Sequence, residues 1–117
     1  MADMYELCEE MREGLRAFPD AEVFGYGHLG DGNLHLNITC PHDVQARIEP
    51  LIEPFVYEWT ALRRGSVSAE HGIGQFKTTY LPLSKSPPAI SLMRQLKAVM
   101  DPNHILNPHK VLPTLSE

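Results

Sequence analysis

With 117 residues, 43% of them apolar and 21% charged, the chain has the length of one domain and enough apolar side chains for a modest core. Ten Lys and Arg against 15 Asp and Glu leave a net charge of −5 with no basic stripe, which argues against a nucleic-acid partner. The longest apolar runs fall far short of a transmembrane segment.

The acidic, amphipathic start MADMYELCEEMREG lacks the Arg-rich character of a mitochondrial presequence and the apolar core of a secretory signal. Either the protein stays where it is made or this chain is a piece of something longer. Asp3 to about Phe18 is predicted to be a helix. Met4, Leu7, Cys8, Met11, Leu15 and Phe18 share one helical face, with Asp3 as N-cap and Pro19-Asp20 as the stop. Glu22 to about Leu29 and Asn33 to about Thr39 read as strands flanking a Gly-Asp-Gly turn.

Asp43 to about Leu62 is predicted helical, with Ile48, Leu51, Ile52, Phe55, Val56 and Trp59 as its apolar face. Pro50 and Pro54 lie inside it, and a break near Glu49 is expected because an interior proline removes a hydrogen bond. Gly65 stops this element. Ser66 to Ala69 reads as a short third strand, and Pro88 to about Met100 as a helix with Asp101-Pro102 past its end. The proline-punctuated tail NHILNPHKVLP reads as extended. This order predicts a single α+β domain, an antiparallel sheet with helices packed on one face. Three short strands make a thin sheet, and an open edge would favour a homodimer. Cys8 and Cys40 have no metal-ligand spacing and read as buried thiols.

The stretch FGYGHLGDGNLHLNIT brackets a turn with two histidines, His28 and His35. Seven positions along one strand would hold them about 23 Å apart, and along a helix roughly 10 Å. Neither separation lets two nitrogens share one zinc at about 2.0–2.1 Å. A two-residue turn centred on Asp31-Gly32 solves this by placing His28 opposite His35 and Tyr26 opposite Asn37. Asn37 then lies on the histidines' face. A looser loop would shift the register.

A third ligand must come from elsewhere. In SVSAEHGIG, Glu70 can complete a His-His-Glu set that leaves a fourth position open, as in catalytic zinc sites. Along an extended strand Glu70 and His71 would point to opposite faces, so both reach one pocket only if the chain bends, which Gly72 permits. The competing reading is a strand ending in a solvated polar pair.

GHLGDGNLH, SAEHGIG and DPNHILNPHKVLP occur in the order seen in the C-terminal domain of the FAD-linked D-2-hydroxy acid dehydrogenases, and the chain resembles that family from about Phe24 to Pro113. The resemblance implies a ferredoxin-like substrate cap, zinc held by His28, His35 and Glu70, His71 as catalytic base, and Asn37 in contact with substrate. Zinc would polarise the hydroxyl and carboxylate of a D-2-hydroxy acid. Imidazole is the side chain suited to accepting the hydroxyl proton near neutral pH. Hydride would pass to FAD, leaving a 2-oxo acid, and electrons onward to an acceptor protein or a quinone. The resemblance implies D-2-hydroxyglutarate as the leading substrate, with D-lactate or glycolate as the alternative, and a mitochondrial location.

The family's flavin domain precedes this region, and nothing here resembles it. GYGHLG falls inside the predicted hairpin, so a dinucleotide-binding reading is wrong in context. The chain is therefore expected to be a fragment, a truncated product or a separate subunit that binds metal without turning over substrate alone. Asn107 and Lys110 in LNPHKVLP are candidate flavin-side contacts. His42, His104 and His109 lack partners at ligand spacing and read as structural or surface residues. A rival from another class is a non-catalytic module that binds metal or a partner.

Overall fold

The structure is a computed structural model that describes residues 2–114. Helix α1 (Ala2–Gly14), strands β1 (Glu22–His28) and β2 (Asn33–Thr39), helix α2 (His42–Leu62), a 3₁₀ turn (Thr78–Tyr80) and helices α3 (Leu81–Ser84) and α4 (Pro87–Met100) follow in that order. The α+β arrangement is as expected. The chain divides into two compact units, the first ending at Trp59 and the second starting at Thr60.

In the first unit, β1 and β2 form an antiparallel pair, the whole sheet among the described residues. Strand alternation sends Val23, Leu36 and Ile38 to one face and Phe24, Tyr26, His28, His35 and Asn37 to the other. Both long helices pack on the first face. Met11 and Leu15 of α1, Val23 of β1 and Ile48 of α2 form the buried centre, flanked by Leu36, Ile38, Ile52 and Phe55. Each such side chain contributes about 1.5–3 kcal/mol through burial. Gly25 sets the spacing of helix and sheet, because a Cβ there would collide with Cys8 Sγ on α1. The Trp59 indole N–H donates to Glu10 Oε1 at 3.1 Å, tying the end of α2 to α1.

Four expectations for the helices of this unit are corrected. Asp3 lies inside the first turn of α1, where its charge complements the helix dipole, and does not cap it. The helix also ends at Gly14, and Leu15 to Phe18 finish the apolar face through turns, with Phe18 N–H donating to the Leu15 carbonyl at 2.8 Å. Helix α2 runs unbroken through Pro50 and Pro54. Those prolines are four residues apart on one exposed side, so the carbonyls they leave unpaired face water while Ile48 and Trp59 anchor the opposite side. Leu51 falls outside that anchored stripe and is 47% exposed.

The second unit begins with the last turn of α2, which ends in a paired arrangement. Gly65 N–H donates to the Thr60 carbonyl at 2.9 Å and Arg64 N–H to the Ala61 carbonyl at 2.8 Å. This is a Schellman motif, with Arg64 at φ 56° in the left-handed position usually taken by glycine. The predicted strand Ser66–Ala69 is absent. Residues 67–71 form a turn whose backbone is satisfied locally, by Ala69 N–H on the Ser66 carbonyl and His71 N–H on the Ser68 carbonyl. Among the described residues the sheet has two strands, not three. Val67 is buried there, its N–H donating to Ser84 Oγ at 2.9 Å.

The tail is not extended. After α4, Asp101 is buried and its carboxylate accepts the Ile105 and Leu106 N–H groups, each at 3.0 Å. Lys97 Nζ donates to the same carboxylate at 2.6 Å. Lys97 first, then the two amides, hold the Asp101 carboxyl below its ordinary pKa against the opposing effect of desolvation. Further along, Val111 N–H donates to the Gly74 carbonyl at 2.7 Å. His104, Asn107, His109 and Val111 all take positive φ, so the segment is a chain of turns rather than a strand.

Candidate metal centre

The hairpin brings its two histidines together by a register different from the predicted one. Leu29 to Gly32 form a four-residue connection, with Asp31 N–H donating to the His28 carbonyl at 3.0 Å and Gly32 at φ 70°. His28 therefore pairs with Asn33, Tyr26 with His35 and Phe24 with Asn37. The longer loop moves the register by two positions. A shift of one would have put the histidines on opposite faces, but a shift of two restores the face. His28 and His35 become diagonal neighbours, their rings 5.6 Å apart and crossed at 67°.

The donor atoms of this pair lie within 4.8 Å of one another. Side-chain rotation can close that gap onto one ion with bonds of about 2.0–2.1 Å. His28 is exposed and His35 half-buried. The Tyr26 ring stacks on His35 at 5.3 Å with 25° between planes, which restricts the imidazole, and Asn37 Nδ2 donates to Tyr26 Oη at 3.1 Å. Gly27 belongs to the same local design: a Cβ there would collide with the Asn33 carbonyl oxygen. The two strands thus approach closely beside the histidines.

Glu70 and His71 lie in the second unit, within the turn that replaces the predicted strand. Ala69 N–H donates to the Ser66 carbonyl at 3.2 Å and His71 N–H to the Ser68 carbonyl at 2.8 Å. Ala69 at φ 45° and Gly72 at φ 97° bend the chain on either side of the pair. The two side chains consequently meet instead of diverging, with His71 Nε2 3.4 Å from Glu70 Oε1. Both are substantially exposed, so each is accessible to a ligand.

Asn107 and Lys110 also come together, lining one cavity of about 250 Å³ in the second unit beside Met93 and Leu106. The sequence marks Tyr26 only as a strand partner of Asn37 and Asp101 only as a helix stop. Tyr26 alternates with His28 on the same strand face, a signal that was available. The role of Asp101 depends on amides that return four and five residues later.

The chain matches the family model described as FAD linked oxidases, C-terminal domain, over residues 1–111. It is 55% identical over 112 residues to the mitochondrial D-2-hydroxyglutarate dehydrogenase of Bos taurus, covering 95% of this chain and 20% of that protein. Against the enzyme of the same name from Arabidopsis thaliana it is 50% identical over 111 residues, 95% of this chain and 19% of the relative. A D-2-hydroxyglutarate–pyruvate transhydrogenase of Saccharomyces cerevisiae is 42% identical over 120 residues, 96% of this chain and 24% of the relative. The chain spans about a fifth of the length of the curated relatives it matches.

Proposed function

Since the chain belongs to the FAD-linked oxidases as their C-terminal domain, we propose that it forms the substrate- and metal-binding part of an FAD-dependent dehydrogenase. The substrate is D-2-hydroxyglutarate and the product 2-oxoglutarate, in line with the names of the relatives. Those relatives are named mitochondrial, and we assign this chain to the same compartment. The observation that carries the proposal is the crossed His28–His35 pair on the hairpin face opposite the α1–α2 core.

In this reading His28, His35 and Glu70 hold one divalent cation, zinc, leaving a position open for the acid. The bound groups supply Lewis-acid polarisation from the cation and hydride acceptance from FAD. His71, next to Glu70 in the same turn, accepts the hydroxyl proton at a ring nitrogen. Asn37 orients the substrate through its amide. Asn107 and Lys110 present a neutral and a cationic donor toward the flavin. An acceptor protein or quinone takes the electrons onward.

Metal analysis of the purified chain beside His28→Ala, His35→Ala and Glu70→Ala tests the centre. The wild type is expected to retain about one equivalent of divalent metal and each variant to lose most of it. Metal content unchanged in all three would end the proposal. A relative from Schizosaccharomyces pombe, 44% identical over 116 residues, is named a putative D-lactate dehydrogenase, which supports a second substrate reading in which a short acid such as D-lactate is preferred. Titrating the metal-loaded chain with D-2-hydroxyglutarate and D-lactate orders the two, and tighter binding of D-lactate reverses the assignment.

A further inference from the structure

We infer that Tyr26 is a ligand-contacting residue, its hydroxyl donating a hydrogen bond to the carboxylate of the acid that occupies the centre. Tyr26 sits on the hairpin face opposite the one on which α1 and α2 pack, directly across the ladder from His35, and is 58% exposed. Two independent contacts fix it. Its ring is stacked on the His35 imidazole, and its oxygen accepts the proton of Asn37 Nδ2 at 3.1 Å. A phenol that accepts one bond keeps its own O–H proton for another acceptor. The hydroxyl is therefore held in place with a donor to spare.

The neighbours define what it would bind. Around Tyr26 the same face presents Asn37, His35 and His28, groups that donate hydrogen bonds or bind a cation. A carboxylate has about four acceptor sites and is the group best matched to several convergent donors. The bland alternative is that Tyr26 merely packs across the strands, as aromatic pairs commonly do. Packing uses the ring, whereas contact with an acid uses the oxygen, and Tyr26→Phe separates the two.

This inference rests on the metal centre proposed above, so the metal and the acid are measured separately. In Tyr26→Phe, zinc affinity is expected to stay within about twofold of wild type, because ring stacking on His35 survives. Affinity of the zinc-loaded chain for D-2-hydroxyglutarate, followed by calorimetry, is expected to fall roughly tenfold or more, the effect of losing one hydrogen bond to a charged group. Unchanged acid affinity with zinc retained would overturn this inference and leave the metal centre standing. A parallel loss of zinc affinity would overturn it too, making Tyr26 a prop for His35. No acid binding by the zinc-loaded wild type would likewise overturn it. Loss of the metal reading itself would show separately, as unchanged metal content in the three ligand variants.

Discussion

The two units are stabilised by different chemistry. In the first, Leu7, Cys8, Met11, Leu15, Val23, Ile48, Tyr57 and Trp59 are buried, and the hairpin is held by the helices packed on one side. In the second, Val67 and Leu81 are the buried hydrophobic residues among those described, and the backbone is fixed instead by polar groups. Ser84 ties down Val67, and the Asp101 carboxylate gathers three donors. Apolar burial is non-directional and sums over area. Polar anchoring is directional and depends on a few atoms. The first unit should therefore be sensitive to volume, the second to charge.

The largest effect expected from this contrast is at Ile48, 1% exposed at the centre of the first unit's core. Ile48→Ala removes buried methyl and methylene groups and leaves a void, a change that costs about 2–5 kcal/mol. Denaturant unfolding followed by Trp59 fluorescence measures it, since Trp59 is itself buried in that unit. A loss under about 1 kcal/mol would mean that the core carries far less of the unit's stability than its burial implies.

The same contrast explains what could be read from sequence. Periodicity revealed α1, both strands, α2 and α4 within a few residues, because each repeats a simple spacing over several turns or pleats. It said less about burial: α4 is a helix as predicted, yet Leu92, Leu96 and Val99 on it remain more than half exposed. The hairpin's existence was legible, but its register depended on whether the loop held two residues or four. That distinction decides the partner of His35, and the period of two is why His28 and His35 share a face in either register. Ser66–Ala69 and the tail failed for a different reason. Their backbone follows from contacts made by distant residues, and non-glycine positions such as Ala69 and Val111 adopt positive φ that local sequence does not announce.

A smaller, pH-dependent effect is expected in the second unit. The Asp101 carboxyl is held below its ordinary pKa when folded, by Lys97 foremost. A depressed carboxylate pKa contributes stability that is fully present above the unfolded value, about 3.9, and is lost as pH falls through the folded value. Protection of the Ile105 and Leu106 amides, measured against the unstructured exchange rate at the same pH, should therefore fall on acidification below that range. In Asp101→Asn this acid sensitivity should disappear, with faster exchange at neutral pH than in wild type. An identical pH profile in the two proteins would remove Asp101 as the anchor of the tail and weaken the claim that charge organises this unit.

The smallest effect is the most local, and it runs in the stabilising direction. Arg64 occupies the left-handed position that ends α2, at φ 56°, where a side chain crowds its own backbone. Gly65, the residue that looked like the stop, has a different task. A Cβ there would come within 2.7 Å of Thr60 Cγ2, so glycine is required at that point for packing rather than for its φ. Arg64→Gly leaves both Schellman hydrogen bonds in place and relieves the strained residue, although glycine's greater freedom when unfolded offsets part of the gain. The net change expected is about 0.5–1 kcal/mol of added stability. Gly65→Ala should do the reverse by pressing on Thr60. If thermal unfolding instead shows Arg64→Gly destabilised, then the arginine side chain contributes more to the second unit than its backbone costs, and polar anchoring there extends beyond Asp101 and Ser84.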